Sequence, residues 1–209
     1  MHSFLKRQNL EYAIIVVNQT KGEIFNRGKL SNIGYVEGVK LYDWDCFVFH
    51  DVDLLPENSR NIYTCSDNPI HLTAAIDLSN YKLPYYTIMG GAVVFTKAQF
   101  LKINGYSNNY WSYGGEDDDL TGSCRFYILQ KTFEMWHEDG LSNLDYEVVH
   151  NEKLQLYVNL VVRLKEKESI AILEGRKDYE KYKRCAKLVN FLKKLIHQII
   201  PTFRQIFLK

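Results

Sequence analysis

Tyr12–Val17 (YAIIVV) is an unbroken apolar run dominated by β-branched residues, a pattern suited to a strand covered on both faces. Between residues 26 and 42, Leu30, Ile33, Gly34, Val36, Val39 and Leu41 recur at near-helical spacing, and Cys46–Phe49 (CFVF) is a second buried run. Strand, helix and strand within about forty residues make a βαβ unit. Taken alone, that unit predicts parallel strands joined by a right-handed crossover, so the chain reads as α/β. Ligands of such sheets collect beyond the carboxyl ends of the strands, and the residues there are His50-Asp51-Val52-Asp53.

The remaining segments fit the same layout. A loop rich in Pro, Asn and Ser runs from Pro56 to Asn68, and a strand is predicted over 71–76. Ile88–Phe95 (IMGGAVVF) reads as a strand interrupted by Gly90 and Gly91, the mark of a bulge or of close backbone approach to a ligand. Thr96 is placed to cap a short helix ending near Ile103, with Asn104-Gly105 as its stop. A helix is predicted over 120–130 and strands over 146–149 and 156–164. Beyond Lys165 the composition changes: Leu188, Phe191, Leu192, Leu195, Ile196, Ile199 and Ile200 hold one helical face and Lys187, Lys193 and Lys194 another, up to Pro201. The predicted organisation is a domain over 1–164 and a helical basic tail over 165–209 that packs on the domain or lies on an anionic membrane surface.

Charge divides the same way. From Arg176 onward ten Lys or Arg face two acids, so a chain with net charge +1 has an acidic body. That balance points away from nucleic acid and toward cations or neutral substrates. Cys46, Cys65, Cys124 and Cys185 match no zinc spacing, and Cys46 with Cys65 can pair in an oxidising compartment. Asn18-Gln19-Thr20 is a glycosylation sequon, and no apolar run is long enough to span a bilayer.

Two acidic constellations carry chemistry. Asp51 and Asp53 lie at a strand end, where alternation points both carboxylates the same way; two oxygen ligands so spaced suit a hard divalent cation shared with a diphosphate. The stretch GYSNNYWSYGGEDDDL (105–120) runs through paired glycines into Glu116, Asp117, Asp118 and Asp119, beside Tyr110, Trp111 and Tyr113. Crowded carboxylates near a helix start can divide the roles of proton acceptor and hydrogen-bond acceptor, and aromatic faces beside them suit a sugar. Together the two sites are equipment for moving a sugar from a nucleotide to a hydroxyl with inversion. Gly90 and Gly91 would let backbone approach the sugar between them.

FNRGKL (25–30), CFVFHDVDLLP (46–56), MGGAVVFTKAQFLKINGYSNNYW (89–111) and GGEDDD (114–119) resemble the β-1,4-galactosyltransferase family. The resemblance covers about residues 1–121 and resumes over 131–164. It implies a GT-A type, Rossmann-like mixed sheet flanked by helices, dependence on manganese (Mn2+), a UDP-sugar donor, an acceptor ending in N-acetylglucosamine, and residence in the Golgi lumen as part of a type II membrane protein. Carried over by position, it implies that Phe25 and Arg27 hold the uridine diphosphate, that Asp51 touches the nucleotide and that Asp53 ligates the metal. Asp117 would take the acceptor proton, Asp118, Glu116 and Gly91 would bind the acceptor, and Tyr113 would close over the donor. Cys46 and Cys65 align with a family disulfide.

Two departures qualify this expectation. Ile88 stands where vertebrate members typically carry a Tyr beside the donor's C2 substituent, which predicts preference for N-acetylgalactosamine over galactose. The Met-x-x-His that completes the family's metal site is absent; His137 is the nearest substitute, and the chain reads as truncated and internally shortened. The competing expectation is a catalytically silent relative that still binds N-acetylglucosamine-type glycans.

Overall fold

The computed structural model describes residues 1–82, 89–111, 135–177, 179 and 202–209. In chain order these form α1 (His2–Arg7), β1 (Tyr12–Gln19), α2 (Arg27–Val39), β2 (Cys46–His50), β3 (Ile70–His71), β4 (Ala92–Thr96), α3 (Lys97–Lys102), β5 (Glu147–Lys153), β6 (Val158–Arg163), α4 (Glu166–Glu174) and β7 (Thr202–Leu208). The strands make one sheet in the order β3-β4-β2-β7-β1-β6-β5.

The apolar runs are continuous because both faces of the sheet are covered. Ile15 and Val17 of β1, Phe47 and Phe49 of β2, Val93 and Phe95 of β4, and Leu160 and Val162 of β6 join the core that includes Leu30 and Ile33 of α2 and Phe100 of α3. The alternate residues Ile14, Val48, Val94 and Ile206 face the other way, onto Phe4 and Leu5 of α1 and Tyr63. α3 begins with a capping box between Thr96 and Gln99, as the Thr96 signal predicts. The edge strand β5 is exposed along its whole length and irregular in register between Val148 and His150, a feature that discourages further strand pairing.

Four expectations are corrected. β1 and β2 point the same way, but each pairs antiparallel with β7, which lies between them; among the described residues only β1 and β6 pair in parallel. The parallel sheet implied by the βαβ pattern is therefore a mixed sheet, the form the family resemblance implies. The stretch 202–208, assigned to a helical tail, is this inserted strand, while the amphipathic helix expected over 188–200 lies outside the described residues. The glycine pair precedes β4 instead of interrupting it, and the strand expected over 71–76 is only Ile70–His71.

β7 fits its slot because α2 carries glycine where the strand's side chains arrive. A Cβ on Gly34 would stand 2.3 Å from Gln205 Nε2, and one on Gly38 would stand 2.2 Å from Phe207 Cε1. Gln205 Nε2 donates to the carbonyls of Ser31 at 2.7 Å and Leu30 at 3.3 Å. Cys46 and Cys65 form a disulfide between β2 and the following loop. Asn18 of the sequon lies in β1 between two paired strands, its Nδ2 donating to Asn159 Oδ1 at 2.8 Å, so glycan attachment would require that bond to break. No helix among the described residues is long and apolar enough to cross a membrane.

Candidate functional site at the carboxyl end of β2

Asn26 caps α2: its side chain accepts from the Lys29 N–H at 2.8 Å, and the helix starts at the next residue. This brings Arg27, only 6% exposed, to the end of β2, where its Nε donates to Asp51 Oδ1 at 2.9 Å. The Asp51 N–H donates to the Gly91 carbonyl at 2.9 Å, which ties the acidic strand end to the glycine turn. Gly91 has φ +84°, and a Cβ there would meet Thr73 Oγ1 at 2.6 Å, so both conformation and space call for glycine. Asp53 is exposed on the turn beyond. It lines a cavity of about 820 Å³ together with His50, Tyr63, Thr73, Asp77 and Tyr81.

The structure thus brings Arg27, Asp51 and Gly91 together at one strand end. Phe25 is 8% exposed and belongs to the main core, so its ring is chiefly a packing element. Ile88, Tyr113, Glu116, Asp117, Asp118 and Asp119 lie outside the described residues. Their approach, Tyr110 and Trp111, is described: Tyr110 is buried and Trp111 packs against the core.

That approach is held by polar residues which the sequence patterns did not single out. Asn32 of α2 donates to the Tyr106 carbonyl at 2.7 Å and to Asn108 Oδ1 at 3.0 Å, and it accepts from the Tyr106 N–H at 2.9 Å. Asp139, 6% exposed, accepts from the Ser107 hydroxyl and from the Asn108 N–H. Burial pushes its carboxyl pKa up, against the opposing pull of donors from Ser107, Asn108, Asn109 and Asn143. Lys29 Nζ donates to the Leu164 carbonyl at 2.6 Å and Ser169 Oγ at 2.8 Å and lies 5.5 Å from the Trp111 ring centroid. Desolvation draws its pKa down to about 8. The one hint in the sequence was the Asn-rich wording of 104–109; the partners lie about thirty to 140 residues away along the chain and follow no period.

The donor chemistry fits a hard cation in part. Asp53 and Asp51 offer carboxylate oxygens, the ligand type for manganese or magnesium, although one Asp51 oxygen is engaged by Arg27. Both His50 ring nitrogens are occupied, by the Asp51 carbonyl at 2.7 Å and Tyr63 Oη at 3.0 Å. His137 is exposed on the turn after Met135, 3.4 Å from Glu138. No group of three His, Cys, Asp or Glu able to hold a metal occurs among the described residues, so His137 is not gathered with both strand-end acids. These residues fit a cation that draws its remaining ligands from elsewhere.

Comparison with known proteins gives this geometry its place. Residues 1–66 match the family profile described as the N-terminal region of glycosyl transferase group 7, and residues 70–129 match the N-terminal domain of galactosyltransferase. β-1,4-Galactosyltransferase 4 of Mus musculus is 40% identical, the alignment covering 78% of this chain and 57% of that protein. β-1,4-Galactosyltransferase 1 of Homo sapiens is 39% identical, covering 78% and 49%. The chain therefore spans about half the length of the curated relatives it matches. Among solved structures, a variant of Drosophila β-1,4-galactosyltransferase 7 in complex with manganese, UDP-Gal and xylobiose superposes with a TM-score of 0.63 at 28% identity, covering 79% of this chain and 85% of that one. A structure of the same fly enzyme's catalytic domain with xylobiose gives 0.63 at 26% identity. A mixed sheet with acids at the end of an inner strand, superposing on these galactosyltransferases, is the GT-A architecture of nucleotide-sugar glycosyltransferases. The chain belongs to the β-1,4-galactosyltransferase family.

Proposed function

We propose that this chain carries the donor half, and the start of the acceptor half, of a metal-dependent inverting transferase. It moves galactose or N-acetylgalactosamine from a UDP-sugar to the 4-hydroxyl of a terminal N-acetylglucosamine. The observation that carries the reading is the Arg27–Asp51 pair at 2.9 Å, set at the start of α2 with Asp53 on the next turn. A buried guanidinium beside a carboxylate suits the polar end of a nucleotide, and the Drosophila neighbour was crystallised with manganese and UDP-Gal.

In this reading Arg27 and Asp51 orient the nucleotide, and Asp53 holds the cation, with Asp51 near it. Manganese bound there would neutralise charge growing on the leaving diphosphate. Asp117 takes the proton of the acceptor 4-hydroxyl as its oxygen attacks C1, the bond from C1 to the diphosphate breaks on the opposite face, and configuration inverts. Asp118, Glu116 and Gly91 position the acceptor, and Tyr113 closes over the donor. Ile88 in place of a phenol leaves room for a C2 N-acetyl group, so the preferred donor is UDP-N-acetylgalactosamine. The Cys46–Cys65 disulfide supports an oxidising compartment, taken here as the Golgi lumen; the run of Lys and Arg over 176–194 would suit contact with an anionic membrane surface.

Transfer assays with both UDP-sugars and an N-acetylglucosamine acceptor, with and without manganese, test the reading. Manganese-dependent transfer supports it. Acceptor binding without manganese-linked UDP binding would instead identify a silent glycan-binding relative. Equal or better use of UDP-galactose would defeat the Ile88 argument alone.

A further inference from the structure

Residues 105–111 lead from the end of α3 toward the carboxylate run, and a buried polar hub fixes them. Asn108 is its centre. Its N–H donates to Asp139 Oδ1 at 3.0 Å, and its Nδ2 donates to the Gly140 carbonyl at 2.6 Å and Asn143 Oδ1 at 2.7 Å. Its Oδ1 accepts from Asn32 Nδ2 at 3.0 Å, and its carbonyl accepts from Asn26 Nδ2 at 2.8 Å. Asn26 is the cap of α2 and directly precedes Arg27, which holds Asp51. Polar contacts therefore run from the approach to the acid cluster, through the start of α2, to the carboxylate at the end of β2.

We propose that Asn108 and Asp139 are positioning residues that fix residues 105–111, the stretch leading in sequence into the carboxylate run, against the start of α2 and so against the Arg27–Asp51 pair. The inference rests on the transferase reading above. Two arguments support it. A buried carboxylate held by neutral donors is a costly way to stabilise a turn, since apolar packing of the same volume would do so without desolvating a charge. What directional hydrogen bonds add is geometry: five bonds to one asparagine leave it a single placement. The glycines beside the hub agree, because a Cβ on Gly105 would stand 2.4 Å from Asn32 Oδ1 and one on Gly140 would stand 2.0 Å from the Asn104 carbonyl oxygen. Loop and turn are seated against each other with no space for adjustment. An in-line displacement needs its base and leaving group placed to within fractions of an ångström.

The test uses the full chain with Asn108→Ala and, as a milder variant, Ser107→Ala, which removes one donor to Asp139. Amide hydrogen exchange is followed over 105–111 and over α2, with titrations of UDP in manganese and of N-acetylglucosamine with UDP and manganese present. For Asn108→Ala, exchange over 105–111 should quicken by about tenfold or more while α2 changes by less than about twofold. Turnover should fall by about 10²-fold, or acceptor affinity by about tenfold, with UDP affinity held within about twofold. Ser107→Ala should lie between wild type and Asn108→Ala, and it carries the test if Asn108→Ala does not fold. Unchanged exchange over 105–111 would overturn the proposal, as would faster exchange with acceptor binding and turnover unaltered, which is the signature of a structural prop. A wild-type chain that neither binds nor glycosylates the acceptor would overturn the transferase reading and this inference with it, and the wild-type control alone identifies that outcome.

Discussion

Lys29→Met separates the packing of Lys29 from its charge. The side chain is 2% exposed, and burial draws its pKa from 10.5 to about 8, with Lys165 pushing the same way and Asp145, Glu23 and Glu168 opposing. Below pH 8 both the folded and the unfolded chain hold the proton, and the cost of burying the charge is constant. Between about pH 8 and 10.5 the unfolded chain still binds a proton that the folded chain has released, so stability rises with pH. Over pH 7 to 10 that rise amounts to about 2.5 kcal/mol. Methionine keeps the length of the side chain and does not titrate. At pH 7 it removes the buried charge but leaves the Leu164 carbonyl and Ser169 hydroxyl without their donor, so the two effects oppose each other and the slope is the diagnostic. Urea unfolding of both proteins at pH 7, 8, 9 and 10 should show wild type gaining about 2 to 3 kcal/mol on the variant. Groups common to both, such as the buried Tyr35 with its raised pKa, cancel in the difference. Curves that stay parallel within about 0.5 kcal/mol would refute the reasoning.

Gly38→Ala drives a methyl group into the Phe207 ring and should cost about 1 to 3 kcal/mol by overpacking, read as a lower urea midpoint with unchanged slope. Replacing Cys46 and Cys65 together by serine opens a loop with a sequence separation of 19 and should remove about 3 kcal/mol on the loop-entropy account, measured by thermal unfolding. Asp53→Ala should weaken UDP binding in manganese with little effect in its absence, as calorimetry would show; normal manganese-linked binding would end its assignment as a ligand. Asp117→Asn should abolish transfer while UDP affinity stays nearly intact, since only the proton acceptor is lost.

The strand-end acids were legible because chemistry and periodicity coincide there: an apolar run that stops at Asp51-Val52-Asp53 declares both a buried strand and a polar mouth. Arg27 was reached through an extended motif that resembles a family, and the glycine pair through its interruption of an apolar run. Asn26, Lys29, Asn32, Asn108 and Asp139 were not reached, for a common reason. Each is a buried polar residue, and polar residues in a helical or loop segment ordinarily signal solvent. Their burial follows from distant backbone groups that need partners, as when Asn32 serves Tyr106 and Lys29 serves Leu164. Nothing local in the chain announces such a demand.

By itself the sequence determined that the chain is α/β, where its first two strands begin and that a helix lies between them, and which carboxylates stand at the mouth of the second strand. These follow from hydrophobic period and capping, which act over a few residues. Only the tertiary structure decided that Thr202–Leu208, at the far end of the chain, is inserted between β1 and β2. Strand pairing is a long-range choice, set by which backbone edges are open and which side chains fit: Gln205 and Phe207 fit there because Gly34 and Gly38 leave them room.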